Sequence, residues 1–258
     1  MNAEFIRVDD PRWKRLLGQV SHDFYHTPEY LELCGRYEDG EPGAFWAESE
    51  DSAFLVPLLR RKIPASLGAP DGWWDLYTPY GYPSPLLTRL RGQESGRFME
   101  AFTTLCQKSE CVSGFLRLHP LLPLPPAMLS LSGTVLRHGE TVFIDLEEAE
   151  EAVWKGVREN HRRDIRKLAN RGFIVELDAW ERLPEFIALY HATMRRLDAS
   201  PFYFFPTDYF RDLRKALRND LHLCTVLTKS GEVASAGLFV GTDRIVEYHL
   251  GGTAEDYL

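Results

Sequence analysis

The stretch from Trp154 to Arg171, WKGVRENHRRDIRKLANR, constrains the fold more than any other part of the chain. Its spacing predicts one continuous helix. Trp154, Val157, His161, Ile165 and Leu168 recur at three- and four-residue steps and form an apolar stripe. Beside it, Lys155, Arg158, Arg162 and Arg166 line up as a cationic ridge. Glu150 and Glu151 precede the stretch and Gly172 follows it, as expected for acid at a helix start and glycine just past its end.

The charge of this stretch is out of keeping with the rest. Seven Lys and Arg residues stand against Glu159 and Asp164, a local +5 in a chain of formal net charge −8. An acidic chain does not coat a nucleic-acid backbone along its whole surface, so DNA is not an expected partner. A local anion site stays open. The ridge suits a diphosphate, because guanidinium forks match phosphate oxygens two at a time; the alternative is a solvated helix face. Arg158 and Arg162, nearest the stripe, are the first candidates. His161, within the stripe, fits a packed histidine better than a general base.

The 258 residues suffice for one large or two small domains. No apolar run approaches the roughly 20 residues that cross a bilayer. The N-terminus lacks a secretory pattern, and Cys34, Cys106, Cys111 and Cys224 are scattered. A cytoplasmic location with reduced thiols is the expectation.

In chain order, residues 11–37 predict two short helices, the second capped by Thr27 with Pro28 at its first position. Residues 43–61 predict a hairpin, 94–109 an amphipathic helix, and VSGFLRLHP a strand. The segment 72–87, GWWDLYTPYGYPSPLL, reads as a shaped loop. Its Tyr77, Tyr80 and Tyr82 either line a pocket or pack. LLPLPPAML is a connector, and TVLRHGETVFIDL a hairpin.

After Gly172 come a strand, a helix from about Glu181 to Leu197, an aromatic cluster, a helix capped by Thr207 and a three-strand meander. In the cluster Tyr203 is the candidate for substrate contact. The order implies an α+β fold with domains at 1–145 and 146–258. Tyr248, His249, Gly251 and Gly252 close the last strand, where glycines permit close backbone approach. The eight histidines show no metal-ligand spacing, so no metal is expected. No Walker, GxGxxG or GxSxG motif occurs, and no pattern assigns a catalytic group.

Together these residues resemble the Fem-type branch of the GNAT acyltransferase superfamily. The likeness rests on WxxxRxxxxxxIRKxxxxG from Trp154 to Gly172 and YHLGGT at 248–253. In the first half it rests on TPEYLEL, VPLLRRKIP, TPYGYPSP and LRLHPLL. It implies two GNAT-like domains with mixed, mainly antiparallel sheets. It also implies transfer of an acyl or aminoacyl group to an amine, from acyl-CoA or aminoacyl-tRNA as co-substrate and with no permanently bound cofactor. A diphosphate-bearing cell-wall precursor is the implied acceptor, and tRNA an implied partner. Gly251 and Gly252 would then approach the donor. The coiled-coil arm of some tRNA-using members has no counterpart here. The Gly-rich loop and helix that follow the last strand in GNAT domains are also missing, so the second domain is expected to be incomplete at its C-terminus. The alternative is a non-catalytic module that binds a phosphorylated or RNA ligand through the ridge.

Overall fold

The computed structural model describes residues 1–89 and 94–258. They divide into two compact units. The first holds Met1–Arg137, Pro206–Asp220 and Val240–Val246; the second holds His138–Phe205, Leu221–Phe239 and Glu247–Leu258.

The first unit is built on a mixed sheet of β1 (Asn2–Arg7), β2 (Glu41–Glu48), β3 (Ala53–Lys62), β4 (Trp74–Tyr77), β5 (Leu86–Leu87) and β6 (Cys111–Phe115). The order is β1-β2-β3-β4-β6, with β5 paired to β3. All pairs are antiparallel except β4 with β6. The 43–61 hairpin is present as β2 and β3, with Phe45 opposite Val56. Its turn is clamped by Glu94, whose carboxylate accepts from the Ser49 and Ser52 hydroxyls at 2.7 and 2.9 Å. Phe45, Phe54, Val56, Leu58 and Leu76 form the core with Phe98 and Met99 of α3 (Glu94–Lys108). The Pro-rich connector contributes one helical turn, α4 (Pro126–Leu129), which buries Met128 and Leu129.

Helices α1 (Pro11–Leu17) and α2 (Pro28–Tyr37) match the expectation, and the Thr27 hydroxyl caps α2 by accepting from Tyr30 N–H at 3.3 Å. Trp13 of α1 is fully buried and donates its indole N–H to the His26 carbonyl at 2.8 Å. Next to it, Asp23 is buried between two buried histidines. Its carboxylate lies 2.8 Å from His26 Nδ1 and 2.8 Å from His119 Nε2, and accepts from Tyr25 N–H at 2.9 Å. His119 Nδ1 accepts from Leu121 N–H, so its proton sits on Nε2 and points at Asp23. Helix α8 (Thr207–Leu217) closes the unit, with Tyr209, Phe210, Leu213 and Leu217 buried. Thr207 is its first residue, not its cap; Pro206, with φ −69°, holds that place.

The second unit carries the antiparallel sheet β10-β9-β8-β7, built from β7 (Ile174–Leu177), β8 (Leu221–Leu227), β9 (Val233–Thr242) and β10 (Ile245–Thr253). The tips of β9 and β10 fall in the first unit. Strand β8 alternates strictly, with Leu221, Leu223, Thr225 and Leu227 buried. Phe186, Ile187 and Tyr190 of α7 (Leu183–Arg196) are buried with it, and Phe205 stacks on Tyr190 at 6.3 Å.

Two expectations fail in this unit. The basic helix is broken into α5 (Glu150–Gly156) and α6 (Glu159–Asn170), because Val157 takes an extended backbone (ψ 132°) just after Gly156. Neither helix buries a residue: His161, Ile165 and Leu168 of the expected stripe are exposed. The hairpin at TVLRHGETVFIDL is also absent. Residues 134–145 form no strand, and Val142 is 92% exposed. The β-branched and aromatic residues there favour an extended chain but supply no partner.

Burial alone would raise the Asp23 carboxyl, but the bonds from His119 and His26 outweigh it and hold its pKa below the ordinary aspartate value. Its contribution to stability is therefore complete above about pH 4 and is lost as pH falls through the depressed value. Asp23→Asn should cost about 2–4 kcal/mol at pH 7 and flatten the acid limb of the stability curve. Urea unfolding between pH 7 and pH 3 measures both. An acid limb as steep in the variant as in the parent would refute the assignment.

Candidate functional site

The candidate residues form three groups. In the first unit, the aromatic loop is wrapped around the end of α2. Tyr77, on β4, donates its hydroxyl to the Glu38 carbonyl at 2.6 Å and carries the Arg61 guanidinium 5.1 Å from its ring centre. Tyr80 donates its backbone N–H to Glu38 Oε1 at 3.0 Å, and its carbonyl accepts from the buried Tyr30 hydroxyl at 2.9 Å. Burial raises the Glu38 carboxyl, against the lowering effect of the Tyr80 N–H, Cys34 and Arg117. Gly81, at φ +101°, lies against the Tyr25 ring so closely that any Cβ would overlap it. Tyr82 projects outward, 43% exposed, with its ring edge-on to Tyr25 and His119. Of the three tyrosines Tyr82 is the exposed one; Tyr77 and Tyr80 are half-buried. Glu38, which organises the loop, carries no sequence signal beyond its position after a predicted helix.

The second group lies at the end of β10. Tyr248 is 61% exposed, and its ring packs on Phe239 of β9 at 5.2 Å. It also lies across the backbones of Gly237 and Gly251: a Cβ at Gly251 would overlap the Tyr248 hydroxyl. Gly252 faces the other way. A Cβ there would come within 2.9 Å of the Leu189 carbonyl and of the Thr193 hydroxyl, both on α7. His249 and Leu250 are both buried, so the inward–outward alternation of β10 shifts by one residue just before the glycines. The glycines thus already accommodate close contacts within the chain, one to a ring and one to a helix. Tyr203 is half-buried in the turn after α7, and its carbonyl accepts from Tyr190 at 2.7 Å. The neighbours Gly237 and Phe239 are legible only once β9 and β10 are paired.

The third group is the basic elbow. Arg162 turns back to donate to the Trp154 and Lys155 carbonyls, at 3.5 and 3.3 Å, and so caps the C-terminus of α5. Arg166 sits 5.6 Å from the centre of the Trp154 ring. Lys155 lies in the last turn of α5 and Arg158 is the N-cap of α6, both exposed. The ridge is thereby interrupted, and two of its four cations are drawn to α5. A solvent-open concavity of about 870 Å³ lies along α6 and shares Arg166 with the ridge; Glu159, Asn160, Arg163, Lys167, Asn170 and Arg171 complete its lining.

Among the described residues the cysteines are free thiols; Cys34 is buried and the others are half-buried, with Cys106 pushed up by burial to about 12. Among the described residues no helix is long and apolar enough to cross a membrane.

Residues 155–258 match the family model described as an acetyltransferase (GNAT) domain. The structure is similar to the crystal structure of FemX, with a TM-score of 0.60 at 11% identity over 100% of this chain and 81% of that one. It is also similar to the structure of L-PGS from Bacillus licheniformis, with a TM-score of 0.53 at 15% identity over 98% of this chain and 71% of that one. No curated protein matches the sequence.

The Tyr248–Gly251 contact is testable by a double-mutant cycle. Gly251→Ala should cost about 1–3 kcal/mol alone and much less in a Tyr248→Ala background, a coupling of about 1–2 kcal/mol in urea unfolding. Additive costs would mean that the ring does not rest on that backbone.

Proposed function

We propose, from the premise that this chain carries a GNAT acyltransferase domain at residues 155–258 within a Fem-type fold, that it transfers an aminoacyl or acyl group to an amine. The donor is an aminoacyl-tRNA or an acyl-CoA, and the acceptor is a small molecule or a cell-wall precursor bearing a diphosphate. In this reading residues 1–145 and 146–258 act as its two GNAT-like domains, and the reaction runs in the cytoplasm, where both donors are made. The observation that carries it is the domain match, which runs from the basic elbow through the β10 strand with its paired glycines.

The chemistry is direct. The amine, deprotonated, attacks the donor carbonyl; a C–N bond forms, the ester or thioester bond breaks, and the leaving oxygen or sulfur takes up a proton. Orientation and exclusion of water supply much of the rate in such a reaction. Backbone donors near Gly251 and Gly252 would stabilise the oxyanion, and Tyr203, Tyr248 and His249 would flank the reacting carbonyl. Lys155, Arg158, Arg162 and Arg166 would hold the acceptor diphosphate. Arg162 and Arg166 can serve both roles, because a guanidinium has five N–H donors and α5 engages only part of Arg162. Tyr77, Tyr80 and Tyr82 would be substrate contacts within the first unit.

The test offers the chain labelled aminoacyl-tRNA or acyl-CoA with a uridine-diphosphate-linked muropeptide carrying a free amine, and scores the product by mass spectrometry. Transfer is expected, and Arg158→Ala with Arg162→Ala should raise the acceptor KM at least severalfold. Acceptor and donor binding without transfer would replace this reading with that of a non-catalytic module.

A further inference from the structure

The loop that joins β3 to β4 in the first unit, residues 63–73 (IPASLGAPDGW), is mostly apolar, and Asp71 is its one charged residue. Residues 64–68 are all exposed, and Leu67 at the tip is 73% exposed. Nothing lies within 4 Å of where a Gly68 Cβ would stand. The tip is nevertheless not slack. The Ile63 N–H donates to the Trp73 carbonyl at 2.9 Å and closes the base. Leu67 and Gly68 donate to the Pro64 and Ala65 carbonyls, which makes a single 3-10 turn over Ala65–Leu67. Gly68 and Gly72 take left-handed backbone at φ +73° and +93°, and Pro64 and Pro70 restrict the rest. The ordering of this loop is therefore complete before any partner arrives.

Below the tip stands a collar of aromatic and charged groups. Trp73 is 39% exposed, and the neighbouring Trp74 ring carries Arg60 at 5.0 Å and Lys62 at 5.4 Å from its centre. Glu41 pairs with Arg60 at 2.7 Å and Asp75 with Arg61 at 3.5 Å, while Lys62 has no ion pair among the described residues. The Glu110 carboxylate reaches within 2.8 Å of where a Gly72 Cβ would stand. With Asp71, the collar is a mixture of both signs and not a cationic patch. Singly exposed apolar side chains are ordinary, but here they are stratified along one hairpin: leucine at the tip, tryptophan below, charges at the base. That order matches a lipid–water boundary, where tryptophan favours the headgroup level. Mixed charges complement a zwitterionic headgroup layer, which presents phosphate and ammonium together. One narrow tip is far short of the roughly 800 Å² that each side of a stable protein–protein interface contributes.

We propose that the β3–β4 loop docks this chain on a zwitterionic phospholipid surface, with Leu67 below the headgroups and Trp73 among them. The dock is independent of the proposed reaction. The probe is a large unilamellar vesicle of phosphatidylcholine, floated with the full chain on a density gradient at low and high salt. Co-flotation is expected, with little dependence on salt, because insertion of the tip and not net charge drives it. Leu67→Glu should lower the partition coefficient about tenfold or more, and Leu67→Met should keep it. Lipids brominated near the headgroup should quench part of the fluorescence of the bound chain, and Trp73→Phe should remove that part. Leu67 and Trp73 are exposed, so unchanged thermal melts by circular dichroism are expected for these variants.

Absence of co-flotation, or an unchanged partition coefficient in Leu67→Glu, would overturn the dock. So would binding that requires anionic phosphatidylglycerol and falls steeply with salt, which would move the contact to a cationic surface. Self-association without vesicles that Leu67→Glu abolishes would assign the tip to a second copy of the chain instead. No donor or acceptor enters this test, so its failure leaves the transferase reading standing, and vesicle binding without transfer does the reverse.

Discussion

In the first unit the Asp23 carboxylate has no water to turn to, and it is held by His26, His119 and the Tyr25 N–H. That node joins chain segments almost a hundred residues apart in sequence. His26 passes the constraint to α1 through its carbonyl and Trp13, while Thr27 immediately opens α2. Tyr25 passes it to the aromatic loop, because its ring lies against Gly81 and Tyr82. Leaving a buried polar group unsatisfied costs about 1–3 kcal/mol, and more when it is charged. The path of the loop is therefore fixed by a carboxylate that has no contact with it except through other residues. Glu38 secures the opposite end of the loop through Tyr77 and Tyr80.

Elements with their own turn or cap chemistry were legible in the sequence. Thr27-Pro28 marks α2, the polar break near residue 50 marks the β2–β3 turn, and the glycine-bearing turn after Lys229 marks the meander. Elements that depend on a partner were not. Strand β1 is too short to show a convincing period and exists because Phe5 pairs with Phe45 on β2. The run Val142-Phe143-Ile144 in TVFIDL has the residue types of a strand, yet it finds no ladder. The basic helix shows the limit from another side. Its period predicts a continuous stripe, but one glycine followed by a β-branched residue ends α5, and Arg162 then satisfies carbonyls that a continuous helix would have bonded internally.

The site was legible at the level of residue types more than of roles. Gly251 and Gly252 stand out in the sequence as places where backbone can be approached. The structure shows two distinct approaches: a tyrosine from the strand itself and the α7 backbone from behind. Neither was visible without the phase shift at His249 and Leu250. The aromatic loop divides in the same way. Tyr77 and Tyr80 are bound into the scaffold, whereas Tyr82, packed edge-on against Tyr25 and His119, is the most exposed of the three.

The split of the cations follows from helix geometry and sharpens the chemistry. Successive residues on α6 are turned by about 100°, so Arg162 and Arg166 meet α5 while Arg163 and Lys167 face the concavity, which Arg166 also lines. The first pair is held by the α5 carbonyls and the Trp154 ring, where a fixed guanidinium plane favours a compact, geometrically demanding anion. Arg163 and Lys167 share their open face with the Glu159 carboxylate, so that side of the helix is not a row of cations alone. The break at Val157 thus fixes one part of the basic stretch against α5 and leaves the other part open to solvent.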